Sequence, residues 1–321
     1  MSSLKVPRIK PPALQLGDKV GIVAPASNVK RDELEAGCEA LRRAGYDPFY
    51  FDSIFDQDLY FAGSVARRAR ELEDMFARED VGAIICARGG YGSNYLLDQL
   101  DFEKLKAHPR IFVGYSDLTA LLTSFADKLG MVTFHGPMVA KDWAHDGGVD
   151  PTSWQAALSG TSLWEVASGA GSGAKGLVEG QAEGILYGGC LSILAASLGT
   201  RYEIDTEGKI LFVEDVATKP YQVDRMLVQL KLAGKLNGVK GIVFGEMCDC
   251  VQTANQGYTL EEVILRIVGD LGIPIAYGLR SGHVTTENIT LPFGVTAELT
   301  VRNSQMSLRI LEAAVVARSL S

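Results

Sequence analysis

The stretch RIFVGYSDLTALLTSF, residues 110–125, decides how the chain is read. Its apolar opening predicts a buried strand, and the residues after Asp117 have helical periodicity. Between them Gly114 permits a tight turn. A strand that enters a helix through Gly-Tyr-Ser-Asp has two readings. Ser116 can cap the helix by accepting a hydrogen bond from an early amide. It can also stand as a nucleophile on a strand-to-helix turn of the G-x-S-x-G kind, although Leu118 occupies the place of the last glycine.

Working outward, the same alternation recurs. KVGIVAPAS (19–27), DPFYFDS (47–53), VGAIICARGG (81–90) and MVTFHGP (131–137) read as strands. KRDELEAGCEALRRAG (30–45), SVARRARELEDMFARED (64–80) and the segment after Ser116 read as helices. Near-continuous apolar strands alternating with helices predict a parallel sheet covered on both faces. After Pro137 the texture changes. DWAHDGGVDPTSW (142–154) and ASGAGSGAKG (167–176) are rich in Gly, Ser and Asp and read as loop. Beyond them KILFVEDV, GIVFGEM and IPIAYGL read as strands, and QVDRMLVQLKLAG and TLEEVILRIVGDLG as helices. The tail from residue 289 reads as paired strands turning at Arg302-Asn303-Ser304. The expected architecture is α/β: an N-terminal domain over 1–140, a linker region over 141–180 and a C-terminal domain over 181–321.

Composition narrows the function. With 321 residues, 47% of them hydrophobic, the chain can build two cores. A net charge of −8 opposes nonspecific binding to nucleic acid. No apolar run approaches the ~18–20 residues of a membrane span. The N-terminus lacks an apolar signal segment, so a cytoplasmic protein is expected. The five cysteines, Cys38, Cys86, Cys190, Cys248 and Cys250, are odd in number and scattered. They form no disulfide framework and no metal-ligand spacing, and neither metal nor cofactor is expected.

A nucleophilic serine needs a base and an orienting acid. The histidines are His108, His135, His145 and His283. His108 reads as solvated, His145 falls in the Gly/Asp-rich loop, and His135 ends a strand near Ser116. His283 follows an apolar strand beside Gly282. Glu214 ends the apolar run Ile-Leu-Phe-Val, where a carboxylate either meets water or holds the imidazole of His283. The Arg88-Gly89-Gly90-Tyr91-Gly92 turn exposes amides suited to an anion or oxyanion, and it matches neither a Walker loop nor G-x-G-x-x-G.

Taken in order, GIVAPAS, ARGGYG, GYSDLTALL, TFHGP, GGCLSILAASLGT, KILFVEDV, YQVDRMLVQLKLAG, YGLRSGH and ITLPFG resemble the serine LD-carboxypeptidases, also called muramoyltetrapeptide carboxypeptidases. The microcin C immunity peptidases are their relatives. The resemblance covers nearly the whole chain. It implies a flavodoxin-like N-terminal domain, a smaller α/β C-terminal domain with a strand-rich end, and a site between them. It also implies a homodimer and a metal-free Ser-Glu-His triad of Ser116, Glu214 and His283.

The implied reaction releases D-alanine from murein tetrapeptides in cell-wall recycling, through an acyl-enzyme. The backbone amides of Asp117, Gly89 and Gly90 are then candidates for the oxyanion hole. Arg88 and Arg225 are candidates for the substrate carboxylate. Two departures from the family pattern are Cys190, where asparagine is common, and VTTEN (284–288), where a Gly/Pro-rich segment is common. The alternatives are an immunity-type peptidase cleaving an aminoacyl-nucleotide analogue, and a non-catalytic small-ligand-binding protein.

Overall fold

The computed structural model describes residues 8–168, 173–251 and 257–318. The first half supplies β1 (Lys19–Val23), α1 (Arg31–Arg43), β2 (Asp47–Phe49), α2 (Val65–Ala77) and β3 (Val81–Cys86). It continues with α3 (Phe102–Ala107), β4 (Ile111–Gly114), α4 (Thr119–Ser124) and β5 (Thr133–His135). All residues of β3 and β4 are buried, as expected for parallel strands covered on both faces. The covering helices are amphipathic: α1 buries Leu34, Cys38 and Leu41, and α2 buries Leu72, Met75 and Phe76. The five strands are parallel in the order β2-β1-β3-β4-β5. This is the doubly wound order of flavodoxin-like sheets, which bind ligands outside the strands' carboxyl ends.

The second half supplies α5 (Pro151–Leu158), β6 (Trp164–Ser168), β7 (Lys175–Val178), β8 (Gly180–Cys190), α6 (Leu191–Ala196) and β9 (Lys209–Glu214). There follow α7 (Pro220–Leu232), β10 (Gly241–Gly245), α8 (Leu260–Val268), β11 (Ile275–Leu279), β12 (Leu291–Phe293), β13 (Thr296–Arg302) and β14 (Gln305–Ile310). The second sheet runs β6-β14-β13-β8-β9-β10-β11-β7. Its centre, β8 to β11, is parallel, and antiparallel strands close both sides. The β13–β14 hairpin turns at Asn303 and Ser304, both at positive φ, as a two-residue turn of this hand requires.

Three differences from the sequence reading stand out. Part of the segment read as linker is ordered: Asp150 accepts from the Ser153 amide at 2.7 Å and Pro151 opens α5, while β6 and β7 join the second sheet. The ASGAGSGAKG stretch lies partly outside the described residues. The helix after Ser116 is not uniform, since a 3₁₀ turn (Ser116–Leu118) precedes α4 and a π turn (Phe125–Leu129) ends it. Finally, β12 leaves the second half and pairs antiparallel with β5, completing a six-stranded first sheet. A further link is buried: Lys209 Nζ lies 3.0 Å from Asp127 Oδ1, and Tyr187 donates to the other carboxylate oxygen.

Candidate active site

The carboxyl ends of both parallel sheets face one cavity of about 490 Å³. The first sheet brings Ser116. After β4 the backbone passes through Tyr115 in extended conformation and reaches Ser116 at φ +63°. Positive φ is uncommon for a non-glycine residue and costs about 1–3 kcal/mol, a strain that concentrates at functional turns. Gly114 makes the bend possible, because a Cβ there would lie 3.2 Å from Leu118 and 3.3 Å from Cys86 Sγ. The capping alternative is not what the turn does: neither the 3₁₀ turn nor α4 has a side-chain cap. Ser116 lines the cavity, and among the described residues its hydroxyl has no hydrogen-bond partner.

The glycine turn after β3 lies directly over Ser116. A Cβ on Gly89 would sit 2.9 Å from Ser116 Cβ, 3.1 Å from its Oγ and 3.4 Å from the Asp117 amide nitrogen. Only glycine leaves that space open. Gly90, at φ +106°, abuts Ser27, whose hydroxyl accepts from the Tyr91 amide at 3.1 Å. The Asp117 carboxylate accepts from the Ser93 amide at 2.8 Å, and Ser93 Oγ donates back to the Asp117 carbonyl at 2.7 Å. Turn and elbow are thus one hydrogen-bonded unit. Arg68, fully buried, supports it by donating to the carbonyls of Pro25 (2.6 Å), Gly92 (2.8 Å) and Gly63 (3.1 Å). Arg68 had a visible sign: it occupies the apolar stripe of α2 in helical register with Leu72, Met75 and Phe76.

The second sheet brings Glu214 and His283. Glu214 ends β9 and is completely buried. Its Oε2 accepts from His283 Nδ1 at 2.7 Å and from the His283 amide at 3.2 Å. Burial opposes this charge, yet the hydrogen bond from His283 and the nearby His135 ring outweigh it and hold the carboxyl down to about 2. Burial likewise opposes an imidazolium at His283, but Glu214 prevails and the pKa is raised above the ordinary value. With Nδ1 committed to Glu214, Nε2 is the nitrogen left for proton transfer.

The loop carrying His283 is clamped from behind. Asn288, in VTTEN, accepts from the Gly282 amide at 2.9 Å and donates to the Gly282 carbonyl at 3.1 Å and to Asp142 Oδ1 at 3.2 Å. Asp142 also takes the Met138 amide at 2.8 Å, and burial pushes its carboxyl up to about 6. The other departure, Cys190, is buried beside Glu214 in the β8–β9 register, and its amide donates to Thr119 Oγ1 at 3.0 Å.

Arg88 lines the cavity rim together with Lys30, Glu33, Lys141 and His145, and Lys30 is paired with Glu33 at 2.7 Å. Arg225 does not line the rim. It lies exposed on α7, 5.7 Å over the Tyr221 ring. Lys141 and His145 were hidden because they fall in the segment read as loop.

Comparisons with known proteins identify the family and the fold. Residues 20–136 match the family model described as the LD-carboxypeptidase N-terminal domain, and 183–299 match the LD-carboxypeptidase C-terminal domain. The chain is 37% identical to a probable murein peptide carboxypeptidase of Bacillus subtilis over 310 residues, 95% of each chain. A crystal structure of muramoyltetrapeptide carboxypeptidase from Oxalobacter formigenes superimposes with a TM-score of 0.81 at 30% identity, covering 92% of this chain and 99% of the other. MccF in complex with glutamyl sulfamoyl guanosine shares the fold, with a TM-score of 0.86 at 24% identity over 96% of this chain and 99% of the other. The chain belongs to the LD-carboxypeptidase family, a family of serine peptidases.

Proposed function

We propose that the chain removes the terminal D-amino acid from murein tetrapeptides, with Ser116 as nucleophile, His283 as base and Glu214 as the acid that orients it. One observation carries this reading. A serine held at positive φ shares a cavity with a histidine whose ring is pinned by a fully buried carboxylate. His283 Nε2 takes the Ser116 proton as Oγ attacks the amide carbonyl, and substrate closes the two side chains on one another. The amides of Asp117 and of Gly89-Gly90 receive the oxyanion, in the space that a Gly89 side chain would fill. The imidazolium then protonates the leaving amine, and water hydrolyses the acyl-enzyme. Arg88, with Lys141 on the same rim, fits the substrate's free carboxylate better than Arg225 does, whereas Lys30 is already paired with Glu33.

The rings among the described residues lining the cavity are Tyr115, His145 and His283, and Tyr115 is buried. That offers a nucleobase little surface to stack on, which favours a peptide over an aminoacyl-nucleotide. We also propose cytoplasmic action as a homodimer. All five cysteines are unpaired, which suits a reducing compartment. In addition, no helix among the described residues is long and apolar enough to cross a membrane.

The direct test compares kcat/KM for an L,D-linked tetrapeptide and its all-L diastereomer. Inverting the terminal centre exchanges methyl and hydrogen, so either the methyl clashes or the carboxylate leaves its cation. A misplacement of about 1 Å costs roughly 10²-fold, and at least that preference for the D-terminus is expected. Equal values would remove the LD-carboxypeptidase substrate assignment. Intact-mass detection of an acyl adduct on Ser116 separates catalysis from mere ligand binding.

The pH profile follows from His283. The base must start neutral, so activity is lost as pH falls through its raised pKa. The acidic limb of kcat/KM is therefore expected above the ordinary histidine value of 6.5. A profile flat from pH about 5 to 8 would remove His283 as the base.

A further inference from the structure

Glu214 faces a second histidine on the side away from His283. His135 ends β5, is completely buried, and points Nε2 at Glu214 Oε1 from 3.9 Å. Neither atom has a hydrogen-bond partner, since 3.9 Å is too long for a direct bond between them. On the far side of the ring, Ser281 Oγ lies 2.9 Å from Nδ1 and 2.8 Å from the Ile289 carbonyl oxygen. The proton count here is restrictive. Ser281 has one hydroxyl proton, and if Ile289 receives it, Nδ1 must carry its own. A bare Nε2 would then point its lone pair at a buried carboxylate, which is unfavourable. If Ser281 instead turns its proton to Nδ1, the neutral ring carries its proton on Nε2. Because burial disfavours a charged ring here, the arrangement that satisfies a neutral His135 puts its proton on Nε2, facing Oε1.

We propose that His135 is a positioning residue for the reaction assigned above: its Nε2–H serves Oε1 of Glu214 while His283 occupies Oε2. The site is built for this close approach. Gly282, at φ +90°, is pressed between the two groups, and a Cβ there would lie 2.8 Å from both Glu214 Cδ and His135 Cε1. Phe212 and Phe293 wall the His135 ring at 5.1 and 5.4 Å between centroids.

The consequence concerns the base. A donor on Oε1 draws charge away from Oε2 and loosens the carboxylate's hold on the His283 proton. Without it, His283 becomes harder to deprotonate. The other titratable groups near the array are Tyr115, Asp142, Cys190, Asp215 and Cys250, and all can carry only negative charge. None of them donates to Oε1 in this structure.

This inference rests on the catalytic assignment of His283, but its test does not need turnover. Proton–nitrogen spectra of histidine-labelled enzyme read the His283 titration directly. His135→Phe is expected to raise the His283 midpoint, and with it the acidic limb of kcat/KM, by about one pH unit. His135→Gln, which places an amide N–H near the lost Nε2–H, is expected to return both toward the wild-type values. The wild-type spectrum is expected to show a proton on His135 Nε2 at neutral pH. An unprotonated Nε2 overturns the proposal, and that readout stands even if His135→Phe does not fold. An unchanged midpoint in folded His135→Phe overturns it as well, as does an equal shift in His135→Gln. If the wild type titrates as described yet hydrolyses no L,D peptide, the substrate assignment fails and this inference survives.

Discussion

Ser116→Ala is expected to lower kcat on an L,D-linked tetrapeptide by about 10³–10⁶-fold while leaving a folded protein. The hydroxyl makes no hydrogen bond among the described residues, so its removal breaks nothing that holds the turn. The anchoring contacts belong to Asp117 and Ser93, and alanine keeps the Cβ that packs against Gly89. Residual activity would come from the oxyanion donors and from binding alone. The measurement is single-turnover and steady-state hydrolysis, with circular dichroism and thermal unfolding as controls on the fold. Near-normal turnover by a folded variant would end the nucleophile assignment.

Glu214→Gln is the second large effect. The side chain keeps its shape but exchanges a charged acceptor for a neutral amide. His283 Nδ1 loses the partner that fixes its tautomer, and the developing imidazolium loses its counter-charge. Replacing an orienting carboxylate by its amide in other serine hydrolases costs about 10⁴ in kcat, and a similar loss is expected here. The loss should fall on kcat with KM little changed, since Glu214 is fully buried and touches no substrate. A drop of less than about tenfold would show that Glu214 holds the loop but not the base.

The strand-to-helix turn at Ser116 was legible because its signals are local: an apolar run, a glycine and then a helical period. Its φ was not, since leucine stands where the elbow pattern has glycine. Glu214 was legible as an anomaly, an acid at the end of an apolar strand. Its partner was not, because 69 residues separate it from His283 and no periodicity reports a contact at that range. From the residues the pairing was one of two open readings, and the resemblance favoured it. Asp142, Lys141 and His145 were hidden for another reason. Glycine and aspartate density reads as loop whether that loop wanders over the surface or lines a cavity. Sheet membership was equally opaque. The run ITLPFG says that its side chains are buried, but says nothing about which sheet takes β12.

That placement of β12 has a mechanical meaning. The loop carrying His283 begins at the end of β11, in the sheet that holds Glu214, and ends in β12, stitched to β5 in the sheet that holds Ser116. His283 is therefore moored at both banks. Swinging the halves apart as rigid bodies would pull on this loop or unzip the β12–β5 ladder, so registration of Ser116 and His283 does not depend on surface packing alone. The same crossing means that neither half is a self-sufficient module. A fragment stopping before residue 291 would leave β5 an unprotected edge, and the remainder would carry a strand with nowhere to dock.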